Sequence, residues 1–403
     1  MTLSRRSFGL FATLTAAQAA APLAFAQQQK IKIGVLTDMS GALSSVLGTG
    51  SVDGARMAIE DFGAAAAGMP VELVFADHQN KPDVGAAIAR RWFDEEGVDM
   101  LLDLGNSAVA IACQSIAKDK NKIIIVTGAS SSEITNKFCN SNSFHWGYDT
   151  YMQSAALAAN MTKAGDDTWF FLSADYAYGQ ALEGDARKKV LEAGGKVLGG
   201  VKHPANTMDM SSFLLQAQSS GAKVIGLATT GEDMERIVKQ GQEFGIWRKQ
   251  KAAAFGLQLY YIPSIGAANM QGMVHNSIYY WDRDDKTRDF AARFQKRNGK
   301  VPAETHAVNY SAVTQYLKAV KAAGTKETGA VLKQLHSMPV DDLVTRSGKV
   351  RADGRLIRPT HLVEVKSPGE IKGQWDLLKV IAEIPGDQAF RPVSESICPL
   401  LKS

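Results

Sequence analysis

IKIGVL at residues 31–36, GARMAIEDF at 54–62, VELVF at 71–75, VGAAIARRWFDE at 84–95 and MLLDL at 100–104 follow one another in a rhythm that decides the fold class. Short apolar runs alternate with longer segments whose apolar residues recur at helical spacing. The short runs are mostly continuous rather than alternating, which predicts strands buried on both faces and hence parallel pairing. The rhythm continues through residues 123–126, 169–172, 197–201, 224–227, 252–255 and 278–281. Strands alternating with helices for the whole length give an α/β protein of βαβ units. The strands are too many for one open sheet, so two lobes are expected. No Gly/Ser linker separates them, as in a chain that crosses between its lobes more than once. Residues 361–366 and 375–381 read as a late hairpin around Ser367-Pro368-Gly369, followed by an irregular, proline-containing tail.

The first 26 residues read differently. Arg5-Arg6 precede an Ala/Leu-rich run that ends at Pro22, and Ala24-Phe25-Ala26 forms a small-x-small cleavage site. That order is the one a secretory signal requires, and cleavage after Ala26 is expected. Paired arginines followed by Phe8 fit the twin-arginine route, although ordinary export signals also carry such pairs. No other stretch is apolar for long enough to span a bilayer. Without the two signal arginines the chain keeps 43 Lys and Arg against 41 Asp and Glu. So even a balance offers no electrostatic case for a nucleic-acid or polybasic-membrane partner. A periplasmic protein without membrane insertion is expected.

Three cysteines are present. Cys113 lies among Ala110, Ile111 and Ala112 and reads as a small buried hydrophobe. Cys139 and Cys398 lie in polar or proline-bearing segments and are the preferred disulfide pair, in an exported chain that can keep one. Connectivity does not follow from sequence.

Several segments resemble the branched-chain amino-acid-binding family of periplasmic proteins, which have the type I solute-binding fold. They are residues 31–37 with Met39-Ser40-Gly41 and Gly54-Ala55-Arg56-Met57-Ala58, then Gly105-Asn106-Ser107, then Thr127-Gly128-Ala129-Ser130-Ser131, then Asp175-Tyr176-Ala177-Tyr178-Gly179. The segment His145-Trp146-Gly147-Tyr148-Asp149-Thr150-Tyr151 and the late Cys398-Pro399-Leu400 look closest to aromatic-acid-binding members. The resemblance runs from about residue 30 to 381. It implies three crossovers, near Gly147, Tyr280 and Arg346. Lobe one is then residues 30–146 and 281–345, lobe two 147–280 and 346–381, with 382–403 as a tail. It further implies a monomer without cofactor or metal, which passes a small-molecule ligand to the permease of an ABC transporter.

In open parallel sheets, ligands sit beyond the carboxyl ends of the strands. Those ends carry Asn106, Ser107, Ala129, Ser130, Ser131, Tyr178, Thr230 and Gln258. Loops that lead straight into helices present free N–H groups, which with serine hydroxyls suit a carboxylate. Serines after strands also serve simply as helix caps; the resemblance favours ligand contact. Phe144, Trp146, Tyr148, Tyr151, Tyr176 and Tyr178 form a dense aromatic cluster. Tyr178 matches a ligand contact of the family, Tyr148 and Tyr151 flank the first crossover, and Phe144 and Tyr176 are expected in the core. The family's amino-acid binders hold the ligand ammonium with an acidic residue, and Gln258 falls near that position. An amide there favours a carboxylate without an amine, benzoate-like or phenylpropanoid. Asp149, Glu232 and Asp282 are other candidates for the charge, which keeps branched-chain amino acids open as ligands.

Two other classes compete. Gly48-Thr49-Gly50 with Gly54 and Asp77 mimics the fingerprint of an NAD-dependent dehydrogenase. Its spacing is G-x-G-x-x-x-G, and about ten residues separate it from the strand end, so no tight phosphate turn forms. No metalloprotease, Walker or nucleophile-elbow motif occurs, and no His pair has i,i+4 spacing. A periplasmic sensor would use the same closing lobes and is not separable by sequence.

Overall fold

The computed structural model describes residues 1–2 and 29–402; the expected export segment and its cleavage site lie in residues 3–28, outside the described residues. The quoted stretch folds as read. Strand β1 (Ile31–Thr37) is followed by helix α1 (Gly48–Phe62), a short antiparallel edge hairpin of β2 (Ala65–Ala66) with β3 (Met69–Asp77), α2 (Pro82–Asp94) and β4 (Met100–Asp103). β1 pairs in parallel with both β3 and β4, so that Ile33 lies opposite Leu73 on one side and Met100 on the other. Helix α3 (Ser107–Asp119), β5 (Ile123–Val126) and β6 (Ser143–His145) complete a sheet of order β2-β3-β1-β4-β5-β6. Every residue of β4 and β5 is buried, because both faces of the sheet are covered. Leu36, Trp92, Val109 and Ile124 form the core beneath α2 and α3, and Ile33, Met57, Leu102 and Ile125 form the core on the opposite face.

The second sheet repeats the logic. Helix α4 (Thr150–Lys163) leads to β7 (Thr168–Ala174), α5 (Ala177–Glu192), β8 (Lys196–His203), α6 (Ser211–Ser219), β9 (Val224–Ala228), α7 (Gly231–Glu243) and β10 (Lys251–Ala254). The strands pair in parallel in the order β10-β9-β7-β8. β11 follows at Val274–Ser277, not at residues 278–281 as the apolar pattern predicts. Ile278, Tyr279 and Tyr280 are buried core residues just beyond the strand, whereas the strand itself reads Val-His-Asn-Ser. The apolar signal therefore marks burial here, not extension.

The chain then returns to the first sheet with α8 (Asp285–Asn298), α9 (Glu304–Ala323) and α10 (Thr328–Ser337), whose Phe290, Val313 and Leu335 join the core with Ile33 and Met57. A two-stranded ribbon of β12 (Lys349–Val350) and β13 (Leu356–Ile357) precedes β14 (Thr360–Val365) and β15 (Leu378–Ile384), the expected late hairpin, which pairs antiparallel and joins β11. The suspected dinucleotide glycines lie within α1. A methyl group on Gly50 would come 2.3 Å from the His306 ring, and one on Gly54 2.2 Å from the His306 carbonyl oxygen. They let α1 approach α9 closely, and no phosphate loop is formed.

Two buried arginines tie the segment that leaves the first sheet. Arg358 donates to the Trp146 carbonyl at 2.6 Å and to Thr345 Oγ1 at 2.8 Å, and Arg355 donates to the Gly147 carbonyl. The tail is fastened to both halves. Cys398 is disulfide-bonded to Cys139, Arg391 donates to Ser132 Oγ at 2.8 Å and to Asp185 of α5 at 2.7 Å, and Glu395 pairs with Lys188 and Lys189 at 2.7 and 2.9 Å. No helix among the described residues is long and apolar enough to cross a membrane.

Candidate functional site

A cavity of about 280 Å³ opens where the carboxyl ends of the two parallel sheets face each other. On the first-sheet side, β4 ends at Asp103 and Leu104, with φ of 81° and 58°, and turns into Gly105-Asn106-Ser107 at the start of α3. Asn106 caps α3: its Oδ1 accepts from the N–H groups of Ala108 and Val109 at 2.8 and 3.1 Å, and its Nδ2 donates to Asn80 Oδ1 at 2.7 Å. Ser107 Oγ accepts from the Ser131 N–H at 3.2 Å, which ties the loop after β5 to the start of α3. Ser130 and Tyr148 complete this wall.

On the second-sheet side, Tyr176 and Thr230 stand immediately before α5 and α7, and neither side chain caps its helix. Thr230 Oγ1 donates instead to the Gly256 carbonyl at 3.0 Å. The first N–H groups of α5 and α7 are thus left without a side-chain acceptor from these residues, where a helix end favours an anion. Glu232 and Asp233, in the first turn of α7, are both paired with Arg236. Tyr178 lies in the first turn of α5, and its hydroxyl donates to Gln153 Oε1 at 3.1 Å. Burial drives the Tyr178 and Tyr148 hydroxyls well above the ordinary tyrosine range, so both stay neutral. Among the described residues, no lysine, arginine or histidine lines the cavity. Its walls are tyrosine and aliphatic, with hydroxyls, amides, helix starts and the Arg236-paired carboxylates of Glu232 and Asp233 as the polar groups.

Asn106, Ser107, Ser130, Tyr148, Tyr178 and Thr230 all line this cavity, whereas Ala129, Ser131, Tyr151 and Gln258 do not. Ala129 and Ser131 lie behind the wall, where the Ala129 carbonyl is bonded to His145 Nε2 at 2.9 Å and Ser131 Oγ accepts from the Glu133 N–H at 3.3 Å. The Tyr151 ring sits between Lys189 and Arg391, 5.2 and 5.3 Å away, on the tail side. Gln258 lines a separate cavity of about 10 Å³ with Glu304, Tyr260 and Tyr280. Phe144 is in the core, but Tyr176 lines the ligand-sized cavity rather than the core alone. Sequence reasoning missed Leu43, Val46 and Leu47 from the loop after β1, Asn80 after β3 and Asn206 after β8. Their common signal was available: each follows the carboxyl end of a strand in one of the two parallel sheets.

The profile of a family described as periplasmic binding protein matches residues 30–370. A crystal structure of a periplasmic binding protein from Burkholderia mallei is 43% identical, with a TM-score of 0.90 over 92% of this chain and 99% of that one. A branched chain amino acid ABC transporter periplasmic ligand-binding protein from Burkholderia xenovorans LB400 is 40% identical, with a TM-score of 0.82 over 92% of this chain and 100% of that one. Leu/Ile/Val-binding protein homolog 8 of Brucella abortus is 25% identical over 234 residues, 53% of this chain, and the chain spans only about half that relative's length, 55%. At 17% identity, a Rhodopseudomonas palustris solute-binding protein of an ABC transporter, in complex with benzoate, shares the fold with a TM-score of 0.80 over 92% of this chain and 100% of that one.

Proposed function

Since the chain belongs to the periplasmic binding protein family, we propose that it captures a small aromatic carboxylate between two closing lobes and delivers it to the permease of an ABC transporter. The export segment would carry it to the periplasm, and the two parallel sheets would be the lobe cores, divided near the crossovers given above. The observation that carries this reading is the cavity itself. A volume of about 280 Å³ is near the lower end for small-ligand pockets. Three tyrosines wall it, two helix starts without side-chain caps face it, and among the described residues no cationic side chain lines it. Such a set holds a carboxylate by N–H and O–H donors and a ring by stacking. The benzoate-bound protein from Rhodopseudomonas palustris supports the ligand class, at the level of shared fold. Closure follows from the ligand's greater affinity for the closed form.

A branched-chain amino acid is the second reading. Gln258 does not line the cavity, so its amide no longer argues against an ammonium there, and the Glu232 carboxylate is in the wall. The 40% identical relative from Burkholderia xenovorans, described as a branched chain amino acid transporter component, points the same way. A thermal-shift screen of ligand-free protein separates the two. Ligand at 100 times its dissociation constant adds about 2.7 kcal/mol, a rise of a few degrees. Stabilisation by benzoates or phenylpropanoid acids but not by leucine or valine is expected. Stabilisation by leucine or valine alone overturns the aromatic ligand and keeps the transport role.

A further inference from the structure

Directly beneath the cavity wall lies a carboxyl group that the binding site does not touch. Asp103 is completely buried at the end of β4, and a methyl group on Gly128, which lines the cavity, would lie 2.3 Å from its Oδ1. Its backbone carbonyl accepts from the N–H groups of Thr127 and Gly128 at 3.2 and 3.1 Å, so the residue also sets the backbone of the wall. Thr37, Ser51 and Asn309 surround the carboxyl from β1, α1 and α9, yet neither oxygen completes a hydrogen bond of normal geometry. The ionisable groups that act on it are Asp38, a buried carboxylate held by the N–H groups of Gly41 and Leu43, and the neutral Tyr148. No cation compensates it among these neighbours. Burial raises its pKa to about 6, with Ser51, Thr37 and Asn309 pulling the other way and Asp38 adding to the rise.

We propose that Asp103 is a positioning residue whose proton is coupled to ligand capture: its neutral acid supports a carboxylate on the wall above, and its ionised form repels one. The inference rests on the carboxylate reading of the cavity. A second negative charge at the wall stabilises the protonated acid, so above about pH 6 the protein takes up a proton from solvent as the ligand binds. The affinity is then highest in mild acid and weakens as pH rises. Aromatic carboxylic acids ionise near pH 4, like model carboxyls, so the ligand's own titration does not enter between pH 6 and 8.

Benzoate binding to the full mature chain, with leucine as a second carboxylate probe, should be followed by calorimetry at pH 6, 7 and 8 in buffers of different ionisation enthalpy. Proton uptake is expected, and the dissociation constant should rise with pH by at most about tenfold per unit for one proton. Asp103→Asn, which is neutral at every pH, should abolish both the uptake and the slope while binding at pH 8 at least as tightly as wild type. Absence of proton uptake in the wild-type protein overturns the proposal without recourse to any variant. So does an effect that survives in Asp103→Asn and disappears in Glu304→Gln, since Glu304 is also buried and its pKa is raised to about 7. Binding by neither probe at any of these pH values removes the carboxylate reading, and this inference with it.

Discussion

A buried tyrosine hydroxyl needs an acceptor, and Tyr178 finds Gln153 on α4. Ring and hydroxyl therefore have separable roles. Tyr178→Ala removes a wall of the cavity and should weaken ligand binding by about 2 kcal/mol or more, as loss of a buried aromatic anchor does. Tyr178→Phe keeps the wall but leaves the Gln153 carbonyl oxygen unpaired, which should cost about 1–3 kcal/mol of folding stability with a smaller change in affinity. Calorimetry and denaturant titration of both variants check this; equal affinity losses would mean that the hydroxyl, not the ring, meets the ligand. At this scale the sequence was legible where a polar or aromatic residue stands between a strand end and a helix start, as Ser107, Tyr178 and Thr230 do. It was not legible for Gln258, because the chain turns at Phe255-Gly256 and carries Gln258, with Leu259 and Tyr260, to a different cavity. Tyr176 and Phe144 look alike in sequence, and only the packing around them separates wall from core.

Among the elements, the start of α3 has the most specific polar construction. One asparagine satisfies two N–H groups of the helix and reaches across to Asn80 on the loop after β3. Asn106→Ala should lower stability by about 0.5–2 kcal/mol, the range for loss of an N-cap. Because both loops line the cavity, it should also weaken ligand binding. Asn106→Ser keeps a neutral capping acceptor but loses the amide donor to Asn80, so recovered stability without recovered affinity would show that the Asn80 contact orders the site. Elements were readable where both faces are buried, as in β4 and β5. β11 was not, because its Val-His-Asn-Ser draws its order from pairing with β14 and carries no apolar signal.

For the molecule as a whole, burial of histidines sets the response to acid. His275, His306 and His361 are held down to about 4 by desolvation, below the ordinary value of 6.5. Between these limits the unfolded chain binds protons that the native one does not, so each histidine makes stability fall as pH drops from 6.5 toward 4. Glu304 acts oppositely: its pKa, raised to about 7, adds stability as pH falls through that value. His275→Gln should therefore reduce the stability lost between pH 7 and 5 by about 2 kcal/mol, measured by urea unfolding at both pH values. An unchanged difference would mean that His275 is protonated in the native protein. The alternation of strand and helix made the two-sheet plan visible in the sequence. The return of residues 285–337 to the first sheet was visible only through resemblance, because return crossings leave no local pattern.

The disulfide joins residues 259 apart in sequence, and the whole second sheet and the helices that return to the first one lie between them in the chain. Its closure is consequently also a matter of timing. Cys398 has no partner to meet until everything between the two cysteines has been synthesised and the tail has wrapped back over α5. Oxidation of this pair thus marks the end of assembly, and a chain stalled or clipped before Cys398 carries a free thiol at Cys139 as the record of its incompleteness.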